Sequence, residues 1–142
     1  MTLPAVIVRE TVISMVINSM ISVGVFLLLF GIDRPVSPTA LGWDFLPQSF
    51  MIALMGTMVP AVLLRKRLGT SLGQILLCSL TIAIAATVIF GGLADALMHR
   101  LFAGSIAADQ ALLLKLGYGA ALAAIVTPTA LLIHARKSGS PT

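Results

Sequence analysis

Four stretches of this chain carry no charged side chain: Thr11 to Gly31, Phe45 to Leu64, Leu72 to Gly92 and Leu116 to Ile133. An α-helix needs about 20 apolar residues to cross a hydrocarbon core about 30 Å thick. Each stretch is long enough for that, and in a chain of 142 residues four spans leave room only for short connections. A water-facing surface is out of reach, because only 10% of the residues are charged, against about a quarter in a soluble domain. The chain therefore reads as an all-α integral membrane four-helix bundle. It forms a single transmembrane domain over residues 1–142, built from one helical hairpin in 1–68 and a second in 69–142.

The formal charge of +4 does not point to nucleic acid, since the basic residues form no aromatic-rich patch. Their order fits membrane topology instead. Threading the four spans puts Arg9, Arg65, Lys66, Arg67, Arg136 and Lys137 on one side. Arg34, Arg100 and Lys115 fall on the other, with Asp33, Asp44, Asp95 and Asp109. Lys and Arg are retained on the cytoplasmic side, so both termini are expected there. The first apolar run exceeds the core of a secretory signal, and Ile32-Asp33-Arg34-Pro35 is a poor cleavage context, so a retained span is expected. A lone cysteine, Cys78, excludes an intrachain disulfide and a cysteine-based metal site.

The first span is expected from about Thr11 to Gly31-Ile32, with Met1–Val8 along the membrane surface. Proline lacks an amide donor and restricts the residue before it, so Pro35 and Pro38 should break the helix and leave a loop as far as Trp43. Trp43, Phe45 and Phe50 suit interfacial anchors. Gly69-Thr70-Ser71 is a tight turn with Thr70 or Ser71 as N-cap. Leu93, Leu97 and Leu101 recur at helical spacing around Asp95, His99 and Arg100, which extends the third helix amphipathically beyond Gly92. Ser105 to Gln110 forms the remaining connection.

The two halves resemble each other. Shifted by 60, Thr11, Ser14, Asn18, Ser19, Phe30 and Gly31 face Ser71, Gln74, Cys78, Ser79, Phe90 and Gly91. Shifted by 68, Phe50, Val59-Pro60 and Leu63-Leu64 face Tyr118, Thr127-Pro128 and Leu131-Leu132. Both copies start on the same side, as in a parallel repeat. The unit NSMIS…FGIDRP…W…FMIALMGTMVPAVLLRKR, Asn18 to Arg67, resembles an uncharacterised family of very small bacterial membrane proteins made of two-helix units. The second half matches more loosely and lacks the tryptophan. The resemblance implies the two-helix fold and a bacterial inner membrane, and it implies no activity.

Polar side chains inside spans must find partners. Ser14, Asn18 and Ser22 stand four apart on one face of the first helix, with Thr11 one turn earlier, and Ser71, Gln74, Cys78 and Thr81 recur on the third. Each stripe is either helix-packing glue or a ligand groove. Small pairs four apart, Gly117/Ala121, Gly119/Ala123 and Ala120/Ala124, mark the fourth helix as a helix–helix contact. Pro60 and Pro128 should kink their helices by freeing the carbonyls of Gly56 and Ala124. Met51, Met55 and Met58 share a face with the spacing of a thioether copper site, though methionine is equally an ordinary gap-filler. His134 reads as a headgroup contact and His99 as part of a surface stretch, so no metal or cofactor is assigned.

Apart from Lys115, no span is expected to hold a buried charge. That counts against ion-coupled transport, and against the small four-helix multidrug exporters, which depend on an intramembrane glutamate. No catalytic constellation is visible and the chain is not expected to be an enzyme. The first expectation is a non-catalytic accessory or structural subunit of a larger inner-membrane complex. A small oligomeric transporter or channel for a neutral or hydrophobic solute is the second, and a lipid- or cofactor-binding membrane sensor the third. The partners expected are membrane lipids, and either proteins within the membrane or further copies of the chain.

Overall fold

Helices dominate because the backbone in lipid must satisfy its own hydrogen bonds. The computed structural model describes residues 3–137. Met1 and Thr2 of the expected surface stretch lie outside them, as do the side chains of Arg67 and Lys137. Helix α1 runs Leu3–Leu29, so residues 3–8 continue the first rod instead of lying along the membrane surface. It ends at Gly31, whose φ of +69° is a left-handed conformation open to glycine.

Ser37 caps α2 (Pro38–Leu63), accepting a hydrogen bond from the Ala40 amide at 3.1 Å, with Pro38 in the first turn. The expected loop to Trp43 is thus already helix. The reason is the cap: serine followed by proline starts a helix as readily as proline stops one. One-turn α3 (Arg65–Leu68) leads to Gly69 at φ +58°. Ser71 then forms a capping box with Gln74, through bonds of 3.3 Å from the Gln74 amide and 3.2 Å back to its own. Helix α4 (Leu72–Ala86) passes through a π-helical turn, Thr87–Gly91, into α5 (Gly92–Leu101). The three form one uninterrupted helix, Leu72–Leu101, so the amphipathic extension continues the span. Helix α6 is Ala108–Lys137. Among the described residues four helices are long and apolar enough to cross a membrane: Pro4–Leu29, Pro38–Leu63, Leu72–Leu101 and Ala108–His134.

The two ends of the bundle differ. At the basic end lie Arg9, Arg65, Lys66 and Arg136; at the loop end the two connections meet. There Val36 and Ile106 donate to each other's carbonyl at 2.8 Å in an antiparallel bridge. Counted from that pair, α2 and α6 bury corresponding places: Leu41 with Ala111, Phe45 with Lys115, Ser49 with Gly119, Ile52 with Leu122, Thr57 with Thr127, Ala61 with Leu131. The offset is 70, so Pro60 corresponds to Ala130, not Pro128. Both prolines lie inside unbroken helices.

Helices α2 and α6 pack together at the centre, α1 lies along α6, and the α4–α5 rod lies along α2. Helix α1 barely touches α2, and α4 barely touches α6. Neither sequence hairpin closes on itself; the two interlock. Lipid tails are as apolar as leucine, so close approach through small residues drives this association. Ala53, Ala83 and Ala123 are fully buried at mid-bundle, while Phe26, Leu41, Phe45 and Met98 fill the loop end.

Candidate functional site in the membrane interior

Helix α1 buries one residue in every four: Val6, Glu10, Ser14, Asn18, Ser22 and Phe26. Four of these six are polar, so in lipid this helix is polar inside and apolar outside, with Val12, Val16 and Met20 exposed. Helices α2 and α6 answer the ridge. Asn18 Nδ2 and Thr127 Oγ1 both donate to Ser14 Oγ at 3.2 Å. Gly56 makes the room, since a Cβ there would come within 2.9 Å of Thr127 Oγ1. Gln48 Nε2 donates to Ser22 Oγ and to the Lys115 carbonyl, each at 3.2 Å. Ser49 Oγ donates to the Phe45 carbonyl at 2.5 Å and shares a hydrogen bond of the same length with the Tyr118 hydroxyl.

The expected uncharged interior is corrected here. Lys115, only 1% exposed, donates to the carboxylate of Asp44, itself buried. Because α2 starts at Pro38, Asp44 lies six residues into the helix, about 9 Å from its end at 1.5 Å per residue. Glu10, also buried, pairs with Arg9 through Nε at 2.9 Å. It precedes the uncharged run, but α1 begins a full two turns earlier than that run suggests. Glu10 therefore replaces Thr11 in the stripe; Thr11 turns to the Ile7 carbonyl at 2.8 Å.

Between α1 and α2, which scarcely touch, runs a groove. Its loop-end part holds about 340 Å³ over Ser22, Asp44, Gln48 and Lys115, with Val25 and Met51 among its walls. Its basic-end part holds about 200 Å³ over Glu10 and Ser14, flanked by Ile17 and Val59. Asn18, Ile21 and Met55 line both parts, so the groove is continuous along α1. A second cleft of about 640 Å³ opens between α5 and α6. There Leu114, Tyr118 and Phe45 stand at the places corresponding to Asp44, Gln48 and Lys115, so those places hold no ion pair.

The remaining expected residues separate. Gln74 and Cys78 do not join the Ser14–Asn18–Ser22 ridge. With Thr70, Thr81 and His134 they line a cavity of about 540 Å³ between α4 and α6 at the basic end. His134 is 1% exposed there, so burial replaces the expected headgroup contact. Gly119 and Ala123 do pack inward, Gly119 so closely that a Cβ would meet Gln48 Nε2 at 2.9 Å. Gly117 and Ala121 are exposed; Gly117 lines the α5/α6 cleft with open space where a Cβ would stand. Met51 and Met55 face the α1/α2 groove. His99 donates through Nδ1 to the Asp95 carbonyl, 2.9 Å away, on the exposed side of α5. Among the described residues no three His, Cys, Asp or Glu side chains gather as a metal site.

No protein-family model, curated protein or solved structure matches the chain. Fold and interior together define a multi-pass all-α membrane protein with a four-helix bundle and a polar seam under a lateral groove.

Proposed function

We propose that the protein is a non-catalytic membrane protein that binds a small membrane-soluble molecule in the groove between α1 and α2. The observation that carries this reading is the combination of place and floor. The groove opens sideways toward lipid between two helices that hardly meet, and polar side chains from Glu10 to Asp44 underlie its apolar walls. Polar groups at membrane depth mark binding sites and pathways by default. The accessory-subunit reading drew on an uncharged interior, and the interior is charged. It keeps the short loops and the exposed small-residue face of α6 as support, and a partner's helix laid between α1 and α2 would cover the same groove.

Purification in mild detergent with native mass spectrometry separates the two. A small-molecule adduct lost on Asn18→Leu supports the binding reading. A stoichiometric protein partner lost on the same substitution supports the subunit reading. An unliganded chain that is indifferent to the substitution removes both.

The basic end is proposed to face the cytoplasm of a bacterial inner membrane, following the excess of Arg and Lys there. A reporter fused to the C-terminus should fluoresce as a cytoplasmic green fluorescent protein and stay inactive as a periplasmic phosphatase. The opposite pattern overturns the orientation.

A further inference from the structure

We infer that the α1/α2 groove takes a single-tailed amphiphile whose head donates hydrogen bonds through N–H or O–H groups. This rests on the binding reading above and names the chemistry of the ligand.

Gln48 supplies the main reason. Its amide nitrogen faces the Lys115 carbonyl at 3.2 Å, and a carbonyl accepts only. The amide is therefore oriented, nitrogen toward Ser22 and Lys115, oxygen away. That oxygen, Oε1, is buried without a hydrogen-bond partner on a side chain that lines the groove, and a donor reaching it there would satisfy it. Beside it, Asp44 gives one carboxylate oxygen, Oδ2, to Lys115, and the other is available to accept. The ammonium of Lys115 is enclosed and turned onto Asp44, so an anionic head would meet a carboxylate and no free cation. A head bearing donors meets acceptors.

The corresponding cleft between α5 and α6 sharpens the assignment. It has similar walls, yet Leu114, Tyr118 and Phe45 occupy the places of Asp44, Gln48 and Lys115. Building the bundle does not require a glutamine and an ion pair under such a cleft, because leucine, tyrosine and phenylalanine close the corresponding one. Below the head site, Ile21, Met51 and Met55 continue the groove toward the basic end as an apolar track for one tail.

The test uses the full chain in phosphatidylcholine nanodiscs, whose lipid heads lack N–H and O–H donors. A photoreactive dodecylamine is crosslinked, its sites are mapped, and unlabelled competitors are compared at equal mole fraction in the bilayer. Labelling is expected on α1 and α2 around Ile21 and Met51. Dodecylamine and dodecanol should compete at least about tenfold better than dodecyltrimethylammonium, which has the charge without the donors, or dodecanoate. Met51→Trp, at an exposed wall position, should abolish labelling, and Leu113→Trp in the opposite cleft should not. If dodecyltrimethylammonium or dodecanoate competes as well as dodecylamine while Met51→Trp still blocks, the head chemistry is wrong and the groove stands. If labelling is absent, or insensitive to Met51→Trp, both are overturned.

Discussion

Lys115 and Asp44 show how much one pair decides inside lipid. Removing one partner of a buried ion pair strands a charge and costs about 3–5 kcal/mol, whereas replacing both with apolar residues is often neutral or better. Lys115→Met alone should lower stability by about that amount, and Asp44→Leu likewise. The double variant should recover most of it, read as a double-mutant cycle on reversible unfolding in mixed micelles. Additive losses would show that the two side chains do not depend on each other. The neutral bonds of the seam act on a smaller scale. Thr127→Val should cost about 0.6–2 kcal/mol, the range for hydrogen bonds between helices in lipid. Ser14, Asn18 and Ser22 were legible from spacing alone because an i, i+4 row must share a face. Asp44 was not. Its role depends on whether the helix starts before or after it, and proline, serine and tryptophan support either reading until the Ser37 cap is seen.

At the scale of the helix, α6 separates two rows of small residues that look alike in sequence. Gly119 lies against Gln48 and Ile52, and Gly117 faces open space. Gly119→Ala forces Gln48 to move and should destabilise by about 1–3 kcal/mol, as overpacking does. Gly117→Ala should be neutral or stabilising by up to about 1 kcal/mol, from helix propensity. Thermal unfolding of the two variants side by side checks this, and equal losses would remove the assignment of faces. The third rod shows the same limit. Its apolar length and its continuation past Gly92 follow from periodicity, but the π turn at Thr87–Gly91 does not. It arises beside Gly91, where a Cβ would come within 3.0 Å of Ser49 Oγ, and only packing against α2 reveals that contact.

For the whole molecule, the interlocked arrangement makes two predictions. Val36 and Ile106 exchange both backbone bonds, a pairing that sets Cα atoms about 5.5 Å apart, within disulfide reach. Val36→Cys with Ile106→Cys, in a Cys78→Ser background, should crosslink rapidly within one chain under oxidation. Failure to crosslink would deny the bridge. Because α1 packs on α6 and not on α2, residues 1–68 and 69–142 should each fail to fold alone and should reassemble when co-expressed. Co-purification of the two tagged halves measures that, and a monodisperse, stable 1–68 fragment on its own would contradict it.

The solvent, the number of crossings and the helical class are all legible in the amino-acid order. Those follow from run length and the cost of unsatisfied backbone in hydrocarbon, and neither depends on neighbours. Which helix lies against which, the interior place of Glu10 and Asp44, and the ion pair under one of two corresponding clefts emerge from the packed bundle. In lipid most helix faces are apolar enough to be outside, so hydrophobic patterning carries little information about partners. Which small residues touch, and which polar groups meet across helices, is settled by packing alone.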